Sequence, residues 1–332
     1  MPSAVLKENI SLAEYTTFKI GGKARFFIDA KSVEDIKMGL RFVKQNNLPI
    51  FILGGGSNVL ISDKGFPGLV IRNSIKGIHC TKNIIYASGG DDWDTVVAYA
   101  VKNKLSGIEN LSLIPGTMGG AVYQNIGAYG AELSATLLFA KAINLKNGKL
   151  KKFSNKECGF GYRKSVFQKY HGQWIIIEVA LKLNKKFKPN VSYPDLKSYF
   201  EKRLIILSAV RKAVICVRRA KLAYPDVVPN AGSFFKNLVV STFLADKLSG
   251  QYPNLKIKKT ASGFQLSAGQ LIEMVGWKGR RCGNVGVSDK HALVIVNYGD
   301  GTARQVTDLS EKIRKSVFKK FSVNLEPEVV FV

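Results

Sequence analysis

The sequence predicts an α+β protein of more than one domain, and three observations carry that reading. Segments with strand character alternate with segments of helical periodicity through the first two-thirds of the chain. Two glycine-rich loops interrupt them, and after about residue 215 the pattern restarts. The length, 332 residues, exceeds one ordinary core and suits two or three domains. The expected division is a first region over 1–215, in two parts meeting near 67–70, then a smaller domain over 216–323 and a terminal strand over 324–332.

Taken in order, "SVEDIKMGLRFVKQNNLP" reads as a helix with Ser32 as N-cap and Asp35 three residues on, a relative of the capping box. "PIFILGGG" is a short buried strand running into glycines, and "GLVIRN" and "NIIYASGG" are further strands. "DDWDTVVAYAVKNKLSG" carries acids in its first turn and lysines in its last, with Gly107 placed to stop the helix. "KAINLKNGKLKKF" is a hairpin turning at Asn147–Gly148. "QWIIIEVALKLN" follows as a long strand and "YPDLKSYFEKRL" as a helix. In the second half, "AGQLIEMVGWKGRRCG" is a helix closed by glycines and basic residues, and "HALVIVNYGDG" is a strand. "DLSEKIRKSVFKKFS" is an amphipathic helix, and "EPEVVFV" ends the chain as a strand.

Composition narrows the function classes. No apolar run reaches the roughly 18–20 residues that span a bilayer, and "MPSAVLKENISLAEYTTFKI" lacks the pattern of a secretory signal. The expected location is the cytoplasm, away from membranes. The four cysteines (Cys80, Cys158, Cys216, Cys282) lie far apart and read as free thiols in a reducing compartment. Three histidines (His79, His171, His291), with no HExxH or Cys/His cluster, argue against a metal site. Fifty Lys+Arg against 24 Asp+Glu give a net charge of +26, which invites nucleic acid. The basic residues are dispersed in small groups, however, with no nucleic-acid-binding motif, and read as solvated faces. A monomer acting on small molecules is expected.

Two loops look built to hold phosphates. "ILGGGSNVL" offers Gly54, Gly55 and Gly56 after a strand, then Ser57 and Asn58 as side-chain donors, with Val59 and Leu60 beyond. It is neither a Walker loop nor a Rossmann fingerprint, and taken alone it reads equally as a tight strand-to-loop turn. "LIPGTMGGAVYQNIGAYGAEL" sets Gly116, Gly119, Gly120, Gly127 and Gly130 around Thr117, Asn125 and Tyr129. So many glycines argue against a helix throughout, since each costs about 1 kcal/mol in a helix interior. Two such loops in one region suggest a dinucleotide extended between them.

"GGGSN", "PGTMGGAVYQNIGAYG", "FGYRKSVF", "NAGSFFKN", "AGQLIEMVGWKG" and "LEPEV" occur in that order along nearly the whole chain. As an ordered set they closely resemble the UDP-N-acetylenolpyruvoylglucosamine reductase family, flavoenzymes that complete UDP-N-acetylmuramate for peptidoglycan. The resemblance implies an FAD-binding region of the vanillyl-alcohol-oxidase (PCMH) type over 1–215 and a substrate-binding domain over 216–323. The terminal strand over 324–332 would return to the FAD region. FAD would be held non-covalently, by residues 54–60 together with Pro115, Gly116, Thr117, Gly119, Gly120, Asn125, Gly127 and Ala128. NADPH would be the co-substrate. The longer, type I form is implied, in which a tyrosine loop covers the substrate; Tyr193 in "NVSYPDL" stands there.

The same resemblance implies the catalytic roles. Ser233 in "NAGSFFKN" matches the donor of a proton to the enolate carbon, Arg163 in "GYRKSVF" the carboxylate clamp, and Glu328 in "LEPEV" the acid that assists the enolate. Without the resemblance, Ser233 reads as a serine capping a turn after Gly232, Arg163 as a surface charge and Glu328 as a solvated acid. "AGSFF" is not a nucleophile elbow, and none of the three histidines has a recognisable partner motif. Tyr129, Tyr193, Lys221 and Asn237 match substrate-binding positions. His291 falls where the family has a polar substrate contact, though it reads equally as a strand-end histidine. Leu238 stands where the family has proline, and Val330 where many members carry a basic residue. Two rival readings are a polyanion binder and a related flavin oxidase.

Overall fold

A computed structural model describes residues 5–260 and 263–332; the first four residues of the N-terminal segment read above lie outside that range. The chain forms two compact units that are discontinuous in sequence. The first comprises the chain up to Ile10, Ala24–Gly55 and Phe66–Ala220; the second comprises Ser11–Lys23, Gly56–Gly65 and Lys221–Val332.

In the first unit a four-stranded sheet runs in the order Lys7–Ser11, Lys23–Ala30, Phe66–Asn73, Ile50–Leu53, and the last three strands are parallel. The helix Val33–Asn46 covers it. It starts where the sequence predicts: Ser32 Oγ accepts from Asp35 N at 3.1 Å and Asp35 Oδ2 accepts from Ser32 N at 2.9 Å, a complete capping box. It stops at Asn47, which takes the left-handed conformation. The second sheet is antiparallel: Leu150–Ser154, Leu137–Asn144, Trp174–Lys182, Ile84–Ser88, Ile78–Thr81. Its first hairpin turns through Gly148 at φ +69°, with Gly148 N donating to Asn144 O. The helices Trp93–Lys102 and Met118–Gln124 pack on this sheet around the fully buried Trp93, Met118 and Val122.

Two elements differ from expectation and one refines it. The helix that begins at Trp93 ends at Lys102, well before Gly107, because Asn103 turns back to accept this role and donates to Tyr99 O. The second glycine loop is not helical throughout, as expected, and a helix capped by the Thr117 side chain occupies only Met118–Gln124 despite Gly119 and Gly120. The helix Leu207–Lys221, not assigned from the sequence, runs up to the division between the two units after Ala220. It packs with the short helix Pro194–Tyr199 through Leu196, Phe200, Val210, Ala213 and Val214, a cluster separate from the sheet core.

The second unit has one large core. A sheet ordered Asn230–Ser233, Val294–Asn297, Val285–Val287, Arg281–Cys282 lies with a three-stranded sheet, Leu238–Val240, Gly263–Leu266, Ile257–Thr260. The helices Ala268–Met274 and Ala303–Phe321 bury Leu271, Ile272, Val306, Ile313 and Val317 between these layers. The longer helix begins upstream of the predicted Asp308, with its own capping box of Thr302 and Gln305. Asp63 adds a second cap, accepting from Ala303 N at 2.7 Å and Arg304 N at 3.0 Å. The terminal strand is short: Val330–Phe331 pairs in parallel with Val59–Leu60.

All four cysteines are free; Cys158 is buried and Cys216 exposed, and burial pushes the Cys158 thiol up to about 12. No helix among the described residues is long and apolar enough to cross a membrane. None of their His, Cys, Asp and Glu side chains form a group of three that could hold a metal ion.

Candidate active site

The site residues fall into two sets, one in each unit. In the first unit the two glycine loops meet backbone to backbone. A Cβ at Gly55 would lie 2.8 Å from Gly116 Cα, and one at Gly54 would lie 2.8 Å from Thr117 Oγ1. Side chains are excluded from this junction, while Gly54, Gly55, Pro115, Gly116 and Thr117 keep part of their surface accessible. That is the cradle a diphosphate needs, with main-chain dipoles able to approach its oxygens without Cβ hindrance, so these residues fit FAD. The second loop is held rigidly from behind. Trp93 N donates to Gly116 O at 3.0 Å, Met118 N to Asp91 O at 2.8 Å and Gly119 N to Gly89 O at 2.8 Å. The amides of Met118 and Gly119 are thus committed to shaping the loop.

Asn125 and Gly127, at the far end of that loop, accept from Arg163. Its Nη2 lies 2.9 Å from Gly127 O and its Nη1 3.5 Å from Asn125 O. Asn125 is buried at φ +45°, and its amide donates to Gly161 O at 3.0 Å, so loop and arginine segment brace each other. Arg163 itself is at φ +52°, a conformation that costs a non-glycine residue energy and that clusters at functional sites. Tyr129 is likewise left-handed at φ +48°. Its ring meets Tyr193 edge-on at 5.1 Å between centroids. Burial raises the Tyr129 pKa, partly offset by the charge of Arg218. Tyr193 caps the helix Pro194–Tyr199 from an exposed position.

In the second unit Ser233 and Glu328 come together on neighbouring backbone segments. Glu328 N donates to Phe234 O at 2.8 Å, Lys236 N donates to Glu326 O at 2.9 Å, and Phe235 bridges Pro327. Glu328 therefore stands opposite the residue that follows Ser233. The placement is firm because Phe234 and Phe235 are both buried; truncating either would cost about 3–5 kcal/mol. Ahead of them, buried Asn230 accepts from Gly232 N at 2.8 Å and donates to Ala223 O and Val228 O. Gly232 follows at φ +73°, the turn that swings Ser233 into place. Among the described residues, no hydrogen bond engages the Ser233 hydroxyl. From the first glycine loop, Asn58 Nδ2 donates to Glu328 O at 3.1 Å and Asn58 O accepts from Val330 N at 3.0 Å. Gly56, at φ +63°, packs where any Cβ would run into Tyr15 O and Thr16 Cα.

The remaining positions are more varied. Asn237 Oδ1 accepts from Ala268 N at 3.1 Å, so it already supports a helix start. His291 Nδ1 accepts from Leu293 N at 3.2 Å. Burial, then the charge of Lys278, lowers its pKa and keeps the ring neutral, which suits a strand-entry role as well as a substrate contact. Lys221 ends the helix Leu207–Lys221. Sequence reasoning missed Asn110, whose buried amide donates to Tyr129 O and Asn190 O at 2.8 Å each. It also missed Asp94 and Arg211, joined by two bonds of 2.7 Å. Asp94 read only as a first-turn acid, and nothing local points to its partner.

Comparisons with known proteins point to one family. The family model described as FAD binding domain matches residues 24–154, and that described as UDP-N-acetylenolpyruvoylglucosamine reductase, C-terminal domain, matches residues 223–332. The UDP-N-acetylenolpyruvoylglucosamine reductase of Pseudomonas aeruginosa is 39% identical over 98% of each chain, and that of Amoebophilus asiaticus 41% over 98% of each. The crystal structure of the Thermus caldophilus reductase matches with a TM-score of 0.71 at 26% identity, covering 99% of both chains. On these grounds the chain belongs to the UDP-N-acetylenolpyruvoylglucosamine reductase family, the FAD-dependent oxidoreductases of peptidoglycan synthesis.

Proposed function

We propose that this chain reduces UDP-N-acetylglucosamine enolpyruvate to UDP-N-acetylmuramate with electrons from NADPH. In that reading residues 1–215 chiefly hold the flavin and 216–323 chiefly serve the substrate. The cytoplasm, where both small molecules are made, is the proposed compartment. Bound FAD supplies the means of passing hydride from the nicotinamide to the enolpyruvyl methylene carbon. The protein must make that carbon electrophilic. An enol ether is electron-rich and resists hydride until the carboxylate on its other carbon can take up the displaced electron pair as an enolate.

Arg163 is the proposed clamp for that carboxylate, its fork matched to two oxygens. Glu328, as a neutral acid, donates a hydrogen bond to the same developing charge. Ser233 Oγ then gives its proton to the enolate carbon, which completes the reduction. Tyr129, Tyr193, Lys221, Asn237 and His291 are the proposed contacts to the sugar nucleotide. The observation that supports this reading best is the pairing of Phe234–Lys236 with Glu326–Glu328, which brings the backbone segment that follows Ser233 against the one that carries the partly buried Glu328.

The test is spectroscopic. The purified protein should show flavin absorbance that NADPH bleaches anaerobically and that UDP-N-acetylglucosamine enolpyruvate restores. Flavin that NADPH bleaches but only oxygen restores would instead favour an oxidase with another substrate. A colourless protein that takes up no added FAD would mean the glycine loops have another use.

A further inference from the structure

We propose that Asp94 and Arg211 are positioning residues that fix the tyrosine-bearing segment of the substrate site to the flavin loop. The proposal rests on the reaction assigned above, and all the groups involved belong to the first unit.

Asp94 lies in the first turn of the helix Trp93–Lys102. Its Oδ1 accepts from Leu113 N at 2.6 Å and from Arg211 Nη1 at 2.7 Å, while Oδ2 accepts from Arg211 Nη2 at 2.7 Å. Leu113 is left-handed at φ +59° and immediately precedes the Ile114–Pro115–Gly116 stretch of the flavin loop. Its conformation is uncommon for a leucine, and the carboxylate bond is what secures its amide. One carboxylate therefore anchors the entry of that loop and the helix Leu207–Lys221 at once. Both side chains are largely shielded, at 16% and 25% accessible, so the pair works in a less screened setting than a surface bridge.

What Arg211 holds is a satellite. The helices Pro194–Tyr199 and Leu207–Lys221 share their own small apolar cluster, separate from the core beneath the antiparallel sheet. The satellite's apolar contact with the second glycine loop runs through Tyr129, and polar ties add direction to that contact. Asn110 supplies one, gripping Tyr129 O and Asn190 O together. Asn190 Nδ2 supplies another by donating to Gly130 O at 3.1 Å. The Asp94–Arg211 fork is the charged and bidentate tie, and geometry of that kind carries specificity as well as energy. The satellite displays Tyr193 toward Tyr129. Loosening the fork should therefore disturb capture of the sugar nucleotide and leave flavin binding alone.

The variant to make is Arg211→Met, which keeps the Asp94–Leu113 bond; Arg211→Lys restores charge without the fork. Four readouts separate the possibilities: FAD content, the rate of flavin reduction by NADPH, KM and kcat for the enolpyruvyl substrate, and trypsin cleavage at Lys202 and Arg203. For Arg211→Met the expectation is FAD content and flavin reduction within about twofold of wild type, with KM and the cleavage rate each raised about tenfold. Arg211→Lys should fall between. An unchanged KM together with unchanged cleavage overturns the proposal. So does a rise in KM that merely follows loss of FAD, since that marks general destabilisation. The trypsin and FAD readouts need no substrate. Faster cleavage with normal FAD in a protein that never turns over the enolpyruvyl sugar would sink the reaction assigned above while leaving the physical tie intact.

Discussion

Gly55→Ala tests the flavin cradle at its narrowest point. The added Cβ would meet Gly116 Cα at 2.8 Å, Gly116 C at 3.2 Å and Thr117 N at 3.4 Å. Those neighbours are main chain, already fixed by the bonds from Trp93, Met118 and Gly119. Ordinary contact begins near 3.4 Å, so the two loops must part by about 0.6 Å or the methyl must bend aside. Overpacking of this kind costs about 1–3 kcal/mol. Gly55 is exposed and the fold does not hinge on it, so the strain should fall on the flavin-competent arrangement. FAD affinity should drop about 5- to 150-fold, read by fluorescence titration of the apoprotein. Gly250→Ala is the control, since nothing lies within 4 Å of that Cβ and the residue sits in a helix. It should be neutral or slightly stabilising. A Gly55→Ala protein that binds FAD as tightly as wild type would refute the cradle.

Further expectations follow from single contacts. Arg163→Lys should lower kcat/KM about tenfold to a hundredfold, because a point charge loses both the fork and the grip on Gly127 O; near-normal kinetics would refute the clamp. Asp63→Ala removes the second cap on the helix Ala303–Phe321 and should cost about 1–2 kcal/mol in denaturant unfolding with catalysis little changed. The Asp94–Arg211 pair should also show in acid. Burial alone would raise the Asp94 pKa, but the Arg211 and Leu113 hydrogen bonds and the nearby guanidinium charges outweigh it and hold the carboxyl below its ordinary 3.8. A depressed folded-state pKa contributes stability above the unfolded value and loses it as pH falls through the folded one. The stability gap between wild type and Arg211→Met should thus be full at pH 7, begin to narrow near pH 3.8 and be lost only once the pH lies below the depressed folded-state value; a gap that does not narrow as the pH falls from 3.8 would contradict the ion-pair assignment.

Local chemistry was legible in the sequence where a few neighbouring residues decide the outcome. Ser32 and Asp35 announce their capping box, and Asn147–Gly148 its hairpin. The glycines of both loops pointed to close backbone approach, and Gly55 does lie against Gly116, with Gly54 against the Thr117 side chain. Within the second loop, which is not helical throughout, a cap at Thr117 outweighs two glycines over Met118–Gln124, since propensity is only a weak prior. Long-range register was beyond reach. Asn58 and Glu328 are bonded although 270 residues apart in sequence, and Asp94 and Arg211 although 117 apart. Nothing in either pair's surroundings names the other. The roles proposed for Ser233, Arg163 and Glu328 come only through the family resemblance, since composition and spacing alone favoured plainer readings for each.

The central claim is that Ser233 protonates the enolate and does nothing for the flavin. Ser233→Ala, followed by stopped flow in two half-reactions, tests it most directly. Reduction of the bound FAD by NADPH should stay within about threefold of wild type, while reoxidation by UDP-N-acetylglucosamine enolpyruvate should slow by about a thousandfold, the scale of a lost general acid. Reoxidation at the wild-type rate would contradict the account and leave Ser233 a bystander beside Glu328.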